Sequence, residues 1–276
     1  MTGYVWLNTA LVPHSQGHIP HTDRGFLLAD GLFETLRVTD GMLPHFTQHI
    51  HRMCEGCKIL RIPLPDITAL SDACTKVIHS NTLKHGSIRI TLTRGSGPRG
   101  IAPPQHPIPT LLITAAASSP AQTTSISVCT SQYTRPPLSP LSSVKTLNYL
   151  PSILAKIDAQ EKGFQDAILR SSDGKSLACG TSGTLIVAYK NKLLTPPLTT
   201  GALPGTTRAR LLKKNICSEE IVTKNTLNYC DASWVVSSLS CLDINKINNT
   251  VKLNYNNSEI TYFKEKIMSI YDNPEI

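Results

Sequence analysis

Lys145 stands in SSVKTLNYLPSILAK, after a proline-rich loop (TRPPLSPLSS, ending at Ser143) and before a strongly periodic helix. An amine in that setting can form a Schiff base with a carbonyl and later shuttle a proton. Farther along, GALPGTTRARLL runs a glycine turn straight into another helix. The first turn of such a helix has N–H groups without intrahelical partners and the positive end of the dipole, which suits a phosphate dianion. Lysine and helix start together suit one ligand carrying both an aldehyde and a phosphate.

Other clusters offer less. Cys54 and Cys57 form one C-x-x-C pair inside a helical stretch. A structural zinc needs a second pair and a redox motif needs a helix N-terminus, so both read as ordinary thiols. His49 and His51 fall on different faces of one helix and cannot chelate one ion. All 9 histidines precede Pro107, without metal-ligand spacing, so no metal is expected.

The elements that must place these groups follow from periodicity. Tyr4 to Leu11 reads as a strand, then a loop. Leu32 to Val38 reads as a strand closed by an Asp40-Gly41 hairpin turn. Phe46, Ile50, Met53, Cys57 and Leu60 form one helical stripe, and Arg52 lies off it. Asp66 caps a second helix carrying Ile67, Leu70, Cys74, Val77 and Ile78. In SIRITLTR, Ile88, Ile90 and Leu92 alternate with Arg89, Thr91 and Thr93, a half-buried strand; TLLITA at 110–115 is a short buried one. After Lys145 a helix presents Leu150, Ile153, Leu154 and Ile157 on one apolar face and stops at Gly163. Strands around Ser125 to Thr130, DAILR, TLIVAY and WVVSS follow, with a helix at 206–214, a closing hairpin and a terminal helix around Tyr262 to Tyr271. Two α/β domains are expected: a small one over 1–116, a linker at 117–123 and a larger one over 124–276.

Composition narrows the function. The chain has 276 residues, 40% of them hydrophobic and 17% charged, ordinary for a globular protein. The net charge of +8 fits either an ordinary basic surface or attraction for a small anionic substrate. The longest basic run is LLKK at 211–214, with no aromatic interleaving or zinc-finger spacing, so nucleic acid is not expected. The N-terminal MTGYVWLNTALVPHS has no basic n-region or long apolar run, and no stretch approaches a membrane span. The 8 cysteines are expected as reduced thiols in the cytoplasm.

In combination, DRG…DGLFETLRV…H-x-x-R…TRGSGPRG…K-T-L-N…LPGTTR resembles the fold-type IV pyridoxal-phosphate enzymes, from about Asp23 to Asn245. That family includes branched-chain and D-amino-acid aminotransferases and 4-amino-4-deoxychorismate lyases. The resemblance implies an α/β (α+β) two-domain architecture, with a mixed-sheet N-terminal domain and a larger barrel-like C-terminal domain. It implies pyridoxal phosphate as cofactor and a homodimer with a shared site. By the same resemblance Lys145 is the Schiff-base lysine and Arg52 grips the phosphate. Gly205, Thr206 and Thr207 cradle that phosphate, and Ser237 and Ser238 complete the cradle. Phe33, Arg94 and Arg99 fall at substrate-binding positions.

One departure bears on mechanism. The family carries a glutamate beside the pyridine nitrogen and an asparagine a few residues later. Here DGKSLACGTSGTLIV, aligned without gaps, puts Ala178 and Gly183 at those places, and Cys179 could substitute only after a one-residue slip. A carboxylate there would keep the ring protonated as an electron sink. A lyase whose product is aromatic tolerates its loss better than a transaminase. The D-amino-acid aminotransferases trap the substrate carboxylate with tyrosine, arginine and histidine, where this chain has Phe33, Arg99 and Ile101. The branched-chain enzymes carry a different strand and loop at RITLTRGSGPRGI and are set aside. The expectation is therefore a 4-amino-4-deoxychorismate lyase making 4-aminobenzoate and pyruvate for folate synthesis. A D-amino-acid or related aminotransferase is the alternative, and a cofactor-binding protein of reduced activity is a third reading.

Overall fold

The structure, a computed structural model, describes residues 3–118, 125–248, 250–251 and 258–272. It divides into two units. The linker expected at 117–123 lies, from residue 119 on, outside the described residues.

The first unit contains β1 (Tyr4–Leu7), β2 (Ala10–Pro13), α1 (Arg24–Leu28), β3 (Gly31–Val38), α2 (Phe46–Leu60), α3 (Ile67–Ser80), β4 (Gly86–Thr93) and β5 (Thr110–Ala117). Its strands form one antiparallel sheet in the order β2-β1-β5-β4-β3. The single strand expected over Tyr4 to Leu11 is a hairpin instead, turning at Asn8, whose φ is 55°. Ile50, Met53 and Cys57 of α2 and Leu70, Cys74, Val77 and Ile78 of α3 pack with Leu32, Leu36, Ile88, Ile90 and Ile113 of the sheet into one core. Asp66 caps α3 by accepting from the Ala69 N–H at 2.7 Å.

Val144–Asn148 belongs to this first unit, although most of its sequence neighbours belong to the second. It pairs with the outer edge of β3. The Phe33 N–H donates to the Lys145 carbonyl at 2.9 Å, and the Leu147 N–H donates to that of Gly31 at 3.0 Å. The pairing needs glycine at residue 31: an added Cβ would lie 2.8 Å from Leu147 Cδ1 and 2.5 Å from the Leu92 carbonyl oxygen.

The second unit contains β6 (Ser125–Arg135), α4 (Leu150–Glu161), β7 (Asp166–Ser171), β8 (Leu177–Gly180), β9 (Thr184–Tyr189), β10 (Lys192–Thr195), α5 (Thr206–Lys213), β11 (Ser218–Glu219), α6 (Lys224–Tyr229), β12 (Ala232–Val236), β13 (Cys241–Ile247), β14 (Thr250–Val251) and α7 (Ser258–Asp272). Its mixed sheet runs β11-β10-β9-β12-β13-β6-β7-β8, with β14 beside β13. Residues from strands near opposite ends, Leu177 of β8 and Leu194 of β10, share one core cluster. The sheet therefore curls around its own apolar face. On the outer face, α5 and α7 cover Ile186, Ala188, Trp234 and Val236. The outer faces of β6 and β7 are covered by α4.

The buried face of α4 is made of small residues. Leu150, Ile153, Leu154 and Ile157 are exposed, and Ala155 and Ala159 face the strands beside Cys129, Ala167 and Leu169. Small residues let the helix backbone approach the sheet closely.

Candidate active site

The residues with candidate roles fall in both units, and each group is described by itself. In the first unit β3 presents two chemistries on its two faces. Lys145 Nζ lies 4.4 Å from the centroid of the Phe33 ring, and Arg89 Cζ lies 3.7 Å from the same centroid. Arg89, on an exposed position of β4, thus brings a second cation to the ring that carries the lysine. Sequence reading missed Arg89, because a charged residue on the polar side of an alternating strand is ordinary.

The opposite face of β3 carries Leu32, Glu34, Leu36 and Val38, and Glu34 is fully buried. Arg52 of α2 answers it with a two-pronged bond: Nε donates to Oε1 at 2.7 Å and Nη2 to Oε2 at 2.6 Å. His49 Nδ1 lies 2.6 Å from the same Oε2. Burial alone would push the Glu34 carboxyl up, but the charge of Arg52 and the bonds from His49 and Arg52 bring it down to about 2. The sequence held a signal for this cluster. A glutamate in the middle of an apolar period-two stripe is a buried charge, and a buried charge needs partners.

Of the arginines expected at substrate-binding positions, Arg94 is withdrawn. It is buried; its Nε and Nη2 donate to Asp30 at 2.8 and 3.0 Å, and its Nη1 and Nη2 donate to the carbonyls of Arg61 and Leu60 at 2.8 Å each. Arg24 joins through Nε to Asp30 at 2.8 Å and binds the carbonyls of Gly100, Ile101 and Ala102. This network holds the loop that carries Arg99, which is exposed.

In the second unit α5 begins at a glycine N-cap, Gly205, with no side-chain cap. Thr206 and Thr207 in its first turn are buried. Helix dipole and first-turn N–H groups are thus presented with short hydroxyls beside them, which fits a phosphate group. Ser237 is committed to a turn: its Oγ accepts from the N–H groups of Leu239 and Ser240 at 3.2 and 3.1 Å. Of the serine pair, Ser238 is therefore the better candidate for the cradle.

The strand β8 carries an irregularity where Ala178 falls. Leu169 of β7 stands opposite Cys179 and Arg170 opposite Leu177, so Ala178 is the extra residue of a bulge. Ala178 is fully buried and Cys179 half-buried. Gly183 is fixed by close approach, since an added Cβ would lie 2.7 Å from the Val236 carbonyl oxygen. The next residue, Thr184, places its hydroxyl 2.7 Å from where a Cβ on Gly205 would stand.

The 8 cysteines are all free thiols. Among the described residues no group of three or more His, Cys, Asp or Glu could hold a metal, and no helix is long and apolar enough to cross a membrane.

An amine-bearing lysine over an aromatic ring, an anchored arginine and an uncapped helix start together fit an enzyme that uses pyridoxal phosphate. Comparison with known proteins agrees. Residues 31–247 match the family described as Amino-transferase class IV. The chain is 32% identical over 212 residues, 76% of its length and 73% of the relative, to a Methanocaldococcus jannaschii protein named provisionally as a branched-chain-amino-acid aminotransferase. It is 30% identical over 207 residues, 72% of its length and 73% of the relative, to an aminodeoxychorismate lyase of Vibrio harveyi. The crystal structure of the Escherichia coli branched-chain amino acid aminotransferase superposes with a TM-score of 0.90 at 22% identity, covering 99% of this chain and 95% of that one. The chain belongs to the class IV aminotransferase family of pyridoxal-phosphate-dependent enzymes. Branched-chain aminotransferases, set aside on sequence, are as near to it as the lyases are.

Proposed function

We propose that the protein is a 4-amino-4-deoxychorismate lyase, releasing 4-aminobenzoate and pyruvate for folate synthesis in the cytoplasm. The observation that carries this reading is the lack of any carboxylate from Leu177 through Tyr189, across β8 and β9. When bound, pyridoxal phosphate supplies the electron sink that acidifies the substrate Cα–H. Without a carboxylate to hold the ring nitrogen protonated, that sink is weaker. A reaction that ends in an aromatic ring has its own driving force and tolerates the weakness.

Lys145 Nζ takes the proton from Cα and returns it to the oxygen of the departing enolpyruvyl group, directly or through water. Phe33 gives the amine a flat apolar floor. Arg89, and Arg99 on its exposed loop, bind the carboxylates of a dianionic substrate. Arg52, Gly205, Thr206, Thr207 and Ser238 hold the cofactor phosphate. The protein acts as a homodimer.

Incubating the cofactor-loaded protein with aminodeoxychorismate tests the reading. Release of 4-aminobenzoate, abolished in Lys145→Ala, is the expected result. Transfer of an amino group to a keto acid, without 4-aminobenzoate, would make the protein an aminotransferase instead.

A further inference from the structure

We infer that Glu34 and His49 are positioning residues that fix the guanidinium of Arg52 for the cofactor's phosphate, an inference that rests on assigning Arg52 to that phosphate. Glu34 occupies a strand face otherwise given to Leu32, Leu36 and Val38. An apolar residue would pack there without any need for charged partners. The carboxylate instead gathers two side chains from successive turns of α2.

Their geometry constrains more than position. Arg52 meets Glu34 with Nε on one oxygen and Nη2 on the other, which sets the plane and direction of the guanidinium. An arginine fork alone could swing together with the carboxylate it grips. His49 Nδ1 on Oε2 removes that freedom by tying the carboxylate to a second point on the helix. A flexible side chain is thereby reduced to one orientation, dictated by a group anchored in the sheet.

Charge makes the same point. The negative charge of Glu34 offsets much of the field of Arg52, so plain attraction for an anion is weakened. What the cluster retains is a donor array held in a fixed direction. A lysine at residue 52 would keep a charge of the same sign and lose that array.

The test compares the affinity of the full-length protein, freed of cofactor, for pyridoxal phosphate and for pyridoxal, which lacks the phosphate. Their ratio separates phosphate holding from general damage to the fold. His49→Leu and Glu34→Gln should each lower the ratio about tenfold or more, the worth of one charge-assisted hydrogen bond. His49→Asn, whose amide nitrogen can stand in for Nδ1, should keep the ratio near wild type. Arg52→Lys should fall nearly as far as Arg52→Ala. If Arg52→Ala leaves the ratio unchanged, the assignment of Arg52 to the phosphate fails, and the inference with it. If Arg52→Ala collapses the ratio but His49→Leu and Glu34→Gln keep it, the assignment stands and the positioning role is overturned. A wild-type ratio in Arg52→Lys would also overturn it. Should Glu34→Gln not fold, His49→Leu decides.

Discussion

Ala178 and Cys179 differ in what a carboxylate would meet. At Ala178 it would enter a fully buried position on the bulge, and burying an unpaired ion costs several kcal/mol. At the half-buried Cys179 a longer side chain can reach water. Ala178→Glu should therefore lower the denaturant midpoint without speeding half-transamination by amino-acid donors. Cys179→Glu should fold and speed it, as followed by the conversion of the pyridoxal to the pyridoxamine spectrum. A fully stable Ala178→Glu protein would overturn the bulge argument. Glu34 makes a second prediction at this scale. Its folded value of about 2 lies below its ordinary 4.5, so its contribution to stability is complete above about 4.5 and is lost as pH falls toward 2. Acid unfolding followed by circular dichroism should show a steep loss in this window, and Glu34→Gln should flatten it. Equal slopes in the two proteins would refute the assignment.

Elements differ in how much of them the sequence reveals. The amphipathic helices α2 and α3 were legible because their large apolar residues face the core. The buried face of α4 was not legible, because its inward residues are small while its large apolar residues are exposed. Here close approach to β6 and β7 puts alanine inward. Ala159→Leu should therefore cost about 1–3 kcal/mol by overpacking, and Leu154→Gln should change the unfolding free energy by no more than about 0.5 kcal/mol. Urea titrations of the two variants check this, and the reverse order would overturn it. Within the candidate site, Lys145 and the start of α5 were legible from local motifs. The Glu34 cluster and the Arg89–Phe33–Lys145 stack were not, since each joins residues distant in sequence. A strand period shows that a residue faces inward, but not which helix turn will meet it.

For the whole molecule, the proposed homodimer is checked by light scattering, which should give twice the chain mass at working concentration. An active species at the chain mass would refute it. The pairing of Val144–Asn148 with β3 also bears on how the molecule is made. β3 is an edge strand of the first unit's sheet, and among the described residues 145–147 pair with Gly31–Phe33 along its outer edge. A ribosome that has released only the first 120 residues therefore leaves that stretch of border without the partner it has in the whole chain. Such a border recruits other chains. Fragments that stop short of Val144 should aggregate where fragments reaching Asn148 stay dispersed. The strip of backbone that delivers the reactive lysine is thus also the hem that keeps a half-made protein from sticking to its neighbours.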